Sequence, residues 1–331
     1  EIVLEADPVP AAQPSERGEM ARHAYSHALT SIQEVAEKLN SQHRAGVHKA
    51  KRMIQNIVDL LSEDDSVLLG MSTIRAFDDY TYTHSVNVAI LSMYLGKRVG
   101  LSRISLERLG ICGLFHDIGK LEVPYDLIIK PGKLTDEEYE RLKEHSINSV
   151  RQIAKLNAAR DLKAKVLLPP FEHHLKYDLS GYPQTNRKKP ISLFGRILTI
   201  TDIFDAMTSP RIYRPVAFSP DRVLAMMQEG AGKDFDPLLL KVFIQMLGVY
   251  PVGTLLVLDT GEMGLVTGVV EEGEVGRPRM VLLKEAGKGA YRKGEAVNLS
   301  ERDPQTGAFR RNITNSLHPS AFGIQPADFL V

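Results

Sequence analysis

Apolar residues recur at helical spacing through most of the first 250 positions. Ile32, Val35, Ala36 and Leu39 share one helix face, and Met53, Ile54, Ile57, Val58 and Leu61 share another, so two helices are predicted between about residues 19 and 63. Their apolar faces suit a packing layer or a contact between two copies of the chain, and they carry no polar cluster for a ligand. Residues 71–248 read as helix after helix. Residues 84–95 set Val88, Leu91 and Leu95 on one face, and 106–117 is apolar nearly all round, which predicts burial. Thr135 and Glu138 form a capping box opening a helix expected to contain His145. A helix from Val166 to about Phe171 must kink or break at Pro169 and Pro170. Residues 192–206 are strongly apolar and hold Asp202. Ser219-Pro220 and Asp236-Pro237 place an N-cap before a first-turn proline, starting two more helices.

After Tyr250-Pro251 the pattern changes. Residues 255–258, 264–270, 280–284 and 296–299 are short β-branched runs separated by turn residues, predicting a module of about four strands. The chain therefore divides into 1–18, a linker or the tail of an upstream domain, rich in proline; 19–70, an N-terminal helical segment; 71–248, a helical domain; 249–300, the β module; and 301–331, an extended tail. The fold class is mainly α, a helical bundle with a short N-terminal helical segment and a small C-terminal β module.

Composition narrows the options. Among 331 residues, 41 Lys+Arg balance 41 Asp+Glu, so the basic surplus of a protein that works on nucleic-acid polymers is missing. A single cysteine, Cys112, excludes a disulfide framework and a cysteine-based zinc site. No apolar run reaches the roughly 18 residues of a membrane span, and the acidic, proline-bearing start does not read as a signal peptide. The expected location is cytoplasmic, with no membrane partner.

The candidate chemistry lies in the placement of histidines. His116-Asp117 closes a buried apolar helix. A lone histidine there is more often a satisfied core residue, but a buried carboxylate costs several kcal/mol unless a cation or strong donors compensate it. A metal ion supplies that compensation. His84, His145, the doublet His173-His174 and Asp202 stand on other predicted helices. Imidazole and carboxylate ligands together suit iron, manganese, zinc or nickel. A site assembled from several helices, with Asp117 bridging two ions, is the economical reading.

Longer motifs surround these residues. HD continues as HDIGK through Gly119 and Lys120, followed by EHS at 144–146, HH at 173–174, SGYP at 180–183 and TDIFDAMTSPRIYRP at 201–215. In this order they resemble the HD-GYP family, a branch of the HD phosphohydrolase superfamily, over roughly residues 75–248. The resemblance implies an HD-type bundle and a metal-dependent phosphodiesterase of bacterial second-messenger turnover. Its substrate would be a cyclic dinucleotide, chiefly cyclic di-GMP, opened to linear pGpG and, after a second cut, GMP. It implies His84, His116, Asp117 and Asp202 as ligands of a first metal. Asp117 would bridge to a second metal completed by His145, His173 and His174. Lys120 would act at the scissile phosphate, Arg211 and Arg214 would hold phosphates, and Tyr182 and Pro183 would belong to a loop beside the site. A solvated helix end is the competing role for the two arginines, and a pure turn role for Tyr182. Two divalent ions are expected, iron or manganese ahead of zinc or nickel.

The chain departs from the family pattern at Leu175, where Glu is frequent, at Leu179, where Gly is common, and at Pro169-Pro170. Three-metal members carry Glu one helical turn before the first histidine. Here that position is Tyr80, with Asp78 and Asp79 on other sides of a regular helix, so two ions rather than three are expected. Leu175 and Leu179 support a competing reading as a catalytically weak cyclic-dinucleotide receptor. A further alternative is the same chemistry on cyclic GMP-AMP. A homodimer through the N-terminal helices and an upstream sensor domain are the expected assembly partners, and the β module is expected to serve stability or oligomerisation.

Overall fold

The computed structural model describes the chain apart from residues 1–13, 42, 44, 64–69, 71, 73–79, 187–188, 211–213, 215, 269–273, 275, 288 and 331. Helices α1 (Pro14–Asn40) and α2 (His48–Glu63) pack on each other and against α3 (Tyr80–Arg98) and α4 (Arg103–Phe115). Their apolar positions, among them Ile32, Val35, Ala36, Ile54, Ile57 and Leu61, are buried in one core shared with α3, α4 and the later helices. The face that the sequence also offered to a second copy is thus consumed within the chain, which removes the basis for a dimer through these positions.

Residues 84–95 were expected to bury one stripe, yet α3 is buried on every side over 83–95. This is tolerated because its polar groups find partners. Asn87 accepts from the Tyr25 hydroxyl at 2.8 Å, and the Ser92 hydroxyl lies 2.7 Å from that of Thr201. Helix α4 is capped by Ser102, whose Oγ accepts from the Ser105 amide, and stops at Phe115, two residues short of the expected end. Asp117 leaves helical geometry at φ −103° and ψ 6° and leads into a 3-10 turn, Ile118–Glu122. The change of direction swings its carboxylate across the end of the helix.

After the short α5 (Tyr125–Ile128), the Thr135–Glu138 capping box opens α6 (Asp136–Lys143), with both of its hydrogen bonds present. Contrary to expectation this helix does not contain His145. The Glu144 amide closes a tighter bond on the Arg141 carbonyl, and His145 heads a new helix, α7 (His145–Lys155). The proline pair breaks the next helix as predicted, into α8 (Arg160–Val166) and α9 (Leu168–Glu172). Both prolines sit in the first turn of α9, where a missing N–H leaves no bond unmade. Ser192 caps α10 (Leu193–Thr208) by accepting from the Gly195 amide, and Asp236 caps α12 (Pro237–Leu247) by accepting from Leu238 and Leu239. Ser219 precedes α11 (Pro220–Glu229) without a side-chain bond, so there only the proline marks the start.

The C-terminal sheet has five strands where four were expected. Strands β1 (Leu255–Leu258), β2 (Met263–Gly268), β3 (Arg279–Gly287), β4 (Ala290–Asn298) and β5 (Ile313–Leu317) lie in the order β4-β3-β2-β1-β5, all antiparallel. The fifth comes from the stretch read as an extended tail. Leu255 pairs with Leu317 and Leu258 with Ile313, so the segment covers the free edge of β1. A 3-10 turn (Pro319–Phe322) and α13 (Ala327–Leu330) follow, and Ile324 is buried. Ser316 donates to Asp221, and His318 Nε2 donates to the Thr208 carbonyl at 2.9 Å, so this segment also rests on the ends of α10 and α11. No helix of the described residues is long and apolar enough to cross a membrane.

Candidate metal centre

The bundle brings all seven predicted ligands to one place. His84 comes from the second turn of α3, His116 and Asp117 from the end of α4, and His145 from the start of α7. His173 and His174 follow α9, and Asp202 projects from the middle of α10. Gly119 controls one of these approaches. A Cβ there would lie 2.1 Å from the His145 carbonyl oxygen and 2.3 Å from the Ser149 amide, so only glycine lets the HDIGK turn meet α7. The contact is fixed by the Gly119 amide donating to Ser149 Oγ at 2.9 Å, while that hydroxyl donates to the His116 carbonyl at 2.6 Å.

The two oxygens of Asp117 face different partners. Oδ2 lies 3.7 Å from His84 Nε2 and 3.5 Å from His116 Nε2. Oδ1 lies 3.2 Å from His145 Nε2 and 3.8 Å from His173 Nε2. Asp202 Oδ1 completes the first group, 3.0 Å from His84 and 3.7 Å from His116. His174 Nε2 joins the second group, 3.1 Å from His145 Nε2. With metal–nitrogen bonds of about 2.0–2.1 Å, adjacent ligand atoms stand about 3.0 Å apart on an octahedron and about 3.4 Å apart on a tetrahedron. The observed separations start at 3.0 Å and extend to 3.8 Å, at and somewhat beyond those values.

Hydrogen bonds on the far side of each ring fix the tautomers. His116 Nδ1 donates to the Gly113 carbonyl at 2.7 Å, His145 Nδ1 to Leu142 at 2.6 Å, and His173 Nδ1 to Pro170 at 2.6 Å. Each acceptor lies three residues back in the chain, at the end of the turn that presents the histidine. His84 Nδ1 is held instead by the Asp205 carboxylate at 2.8 Å. For His116, His145 and His173 these bonds leave Nε2 as the lone-pair nitrogen, aimed inward. The Nε2 atoms of His145 and His173 consequently face each other 3.4 Å apart, an arrangement that repels unless a cation lies between them. His116 Nε2 and Asp117 Oδ1 are buried without a hydrogen-bond partner. Orphaned buried acceptors and a donor set of imidazoles and carboxylates fit divalent metal ions.

The electrostatics agree. Burial alone would raise the Asp117 and Asp202 carboxyls, but the cations and rings around them hold both well below the usual range: Lys120, His116 and His145 for Asp117, and His116 and His84 for Asp202. Burial alone would lower the His84 imidazole, but the hydrogen bonds it gives to the Asp202 and Asp205 carboxylates push it up to about 9. Burial, reinforced by neighbouring imidazoles, lowers His173 to about 3 and also lowers His174.

The remaining predicted residues fall at varied distances from this cluster. Lys120 donates to Asp117 Oδ2 and is largely buried. Tyr182 lies over the His174 ring, with centroids 4.5 Å apart, and burial pushes its phenol up. Pro183 follows it through a cis peptide. Gly181 has φ +89°, and a Cβ there would meet the His174 carbonyl at 2.3 Å. The loop therefore closes on the histidine doublet through the Tyr182 amide, 3.2 Å from that same carbonyl. Arg214 takes a structural role. Its Nη2 donates to the carbonyls of Ala206 at 2.7 Å and Met207 at 3.0 Å, capping the end of α10, and its guanidinium stacks on Phe218. Arg211, Asp78 and Asp79 lie outside the described residues, and Tyr80 begins α3.

Two contributors were not foreseen. Asp205 stands one turn beyond Asp202 on α10, and the i, i+3 spacing of the carboxylates in TDIFD was the available signal. Glu172, fully buried before the histidine doublet, accepts from the Ser192 amide at 3.1 Å and from its hydroxyl. It ties α9 to the first turn of α10, and nothing in the sequence announced this pairing. Beside the candidate ligands opens a cavity of about 800 Å³, lined by Asp117, Lys120, the start of α3, residues from 121–134 and from α6, and Ile32 and Asn40 of α1.

The sequence profile described as HD domain matches residues 55–239. A cyclic di-GMP phosphodiesterase of Pseudomonas aeruginosa is 31% identical over 268 residues, covering 80% of this chain and 63% of that protein. A cyclic di-GMP phosphodiesterase of Thermotoga maritima is 30% identical over 199 residues, 60% of this chain and 52% of that one. A 3'3'-cGAMP-specific phosphodiesterase of Vibrio cholerae is 34% identical over 220 residues, 62% and 46% respectively. The chain thus spans less than two thirds of the length of these curated relatives. Among solved structures, an HDG"Y"P protein of Bdellovibrio bacteriovorus shares the fold with a TM-score of 0.58 at 16% identity, covering 73% of this chain and 74% of that one.

Proposed function

Since the chain belongs to the HD domain family, we propose that it is a metal-dependent phosphodiesterase that opens cyclic di-GMP to linear pGpG. The observation that carries this reading is the division of Asp117, one oxygen toward His84 and His116, the other toward His145 and His173. A single carboxylate shared by two imidazole groups suits a pair of divalent ions. The names of the relatives, cyclic di-GMP phosphodiesterases in two bacteria, support the substrate.

His84, His116, Asp117 and Asp202 would hold one ion, and Asp117, His145, His173 and His174 the other; iron or manganese suits this set best, with zinc or nickel as alternatives. Bound there, the ions would supply Lewis acidity for a water nucleophile and for the phosphoryl oxygens. The protein's own contribution is preorganisation. The carbonyls behind His116, His145 and His173 hold the rings in place, and Asp205 does the same for His84. Lys120, bonded to Asp117 Oδ2, sits where its ammonium can pass to a phosphoryl oxygen as charge develops there. Tyr182 shields the His174 side from solvent. Hydrolysis adds water across one P–O3′ bond, leaving a 5′-phosphate and a free 3′-hydroxyl. Arg211 is the proposed further phosphate contact, since Arg214 is engaged with the end of α10. Tyr80, in place of the glutamate of three-metal relatives, favours two ions and pGpG as the main product.

A second reading, cleavage of 3'3'-cyclic GMP-AMP, is favoured by the Vibrio cholerae relative named for that substrate. Anaerobic purification, metal analysis and chromatographic product assay with both nucleotides test the proposal. Two ions per chain with conversion of cyclic di-GMP to pGpG is the expected result. Full metal content without turnover of either nucleotide would refute it.

A further inference from the structure

The cavity beside Asp117 has a mixed lining, charged and apolar. It presents Asp117 and Lys120, and it is also walled by Leu127, Ile128, Ile129 and Leu134, with Tyr125 and Asp136 on its lining. Its volume of about 800 Å³ falls within the range of pockets that enclose an organic ligand. A phosphodiester seated at the ligand cluster would extend one of its nucleosides into this space.

We propose that this cavity contains a guanine subsite, in which Tyr125 stacks on the base and the Asp136 carboxylate reads its edge. This rests on the cyclic-dinucleotide reading above and adds to it the residues that choose the base. Tyr125 is 68% exposed at the first position of α5, and its ring meets no other ring or cation among the described residues. An aromatic ring left open on a cavity wall is a platform for a purine face. The other lining tyrosine on this side, Tyr139, already has the Lys143 ammonium over its ring at 4.8 Å and Tyr182 against it at 6.3 Å.

Asp136 and Asp117 are the two carboxylates on the described lining. Asp117 belongs to the metal ligands, whereas Asp136 makes no hydrogen bond or ion pair among the described residues. Its neighbours are engaged: Glu138 holds Lys130 and the Thr135 amide, and Lys143 holds Glu140. Asp136 opens α6, and α5 packs against α6, so platform and carboxylate stand on adjoining elements. Guanine offers two donors side by side, N1–H and the exocyclic amine, which match two carboxylate oxygens. Adenine presents an unprotonated N1 at the same place, and its lone pair opposes the carboxylate. One well-made edge contact of this kind discriminates between bases by roughly 5- to 150-fold.

The test compares kcat and KM of the metal-loaded wild type, Asp136→Asn and Tyr125→Ala on cyclic di-GMP, 3'3'-cyclic GMP-AMP and cyclic di-AMP, with metal content measured in each. The wild type is expected to prefer cyclic di-GMP over cyclic di-AMP. Asp136→Asn should raise KM for cyclic di-GMP about tenfold or more, leave kcat and metal content unchanged, and leave cyclic di-AMP unaffected. Tyr125→Ala should raise KM for all three, and Tyr125→Phe should restore it. A wild type active on cyclic di-GMP whose base preference survives Asp136→Asn overturns the subsite alone. A metal-loaded wild type inactive on all three overturns the phosphodiesterase reading, and the subsite with it.

Discussion

Asp205 lies directly behind His84, its Oδ2 2.8 Å from Nδ1 on the side of the ring away from the other ligands. The same helix therefore provides two carboxylates for one histidine, Asp202 at Nε2 and Asp205 at Nδ1. A carboxylate in that position orients the ring and raises its basicity as a ligand. Asp205→Ala should weaken metal binding by about 10- to 100-fold while the fold is kept. A chelator-competition titration measures this, and unchanged affinity would show that packing alone orients His84.

Asp117 should be unlike the other ligands. Asp117→Asn should empty both ion positions, because each oxygen serves a different histidine group. His145→Ala should cost mainly the second ion. Metal analysis of the two variants distinguishes them, and one retained ion in Asp117→Asn would mean that the carboxylate does not bridge.

Gly119→Ala should be among the most damaging single changes outside the ligands. The new Cβ would collide with backbone atoms of His145 and Ser149, which cannot move without shifting α7. Destabilisation of about 3 kcal/mol or more is expected from such a backbone clash. Denaturant unfolding measures it, and a loss under 1 kcal/mol would show that the turn can back away.

The histidines predict the pH response of the metal-free protein. His84 is raised in the fold to about 9, so its contribution to stability is complete below the ordinary value near 6.5 and is lost as pH rises through 9. His173 is lowered to about 3, so its contribution is present above 6.5 and is lost as pH falls toward 3. Opposed limbs should give a melting-temperature maximum near neutrality. Metal should remove the alkaline limb, because an ion then takes the place of the proton on His84. Melting curves from pH 4 to 10 with and without manganese test this; an alkaline decline of equal size in both would contradict it.

Leu179 holds φ +68°, in the left-handed region, within the loop that carries Gly181. A leucine there costs about 1–2 kcal/mol. Glycine gives back part of that relief through its greater freedom when unfolded. Leu179→Gly should therefore stabilise the protein by about 0.5–1 kcal/mol, or roughly 1–3 °C in Tm. A lower melting point would show that the exposed leucine makes contacts worth more than its strain.

The sequence exposed most of the centre because its ligands are chemically conspicuous. HDIGK, the histidine doublet and Asp202 are residues whose burial demands compensation. The supporting pairs were less visible. Glu172 meets Ser192 and His318 meets Thr208 only after distant segments have folded together. Arg214 looked like a phosphate ligand because a cation near a motif has no local sign of its partner, and the helix carbonyls it caps are backbone groups that sequence does not distinguish. The strand at 313–317 was obscured by the prolines and glycines flanking it, although Ile313 and Leu317 both fall on residues of β1.

That strand has a consequence for how the chain is made. On the ribosome, β1 emerges well before β5. Until Ile313–Leu317 arrives, the outer backbone groups of Leu255–Leu258 have no strand to pair with. An apolar edge left open is a template for joining neighbouring chains. Translation that stalls or terminates between the two strands would release a polypeptide carrying every candidate metal ligand together with an adhesive border. The short pairing of β5 thus closes the β1 edge only after β1 to β4 have all been made.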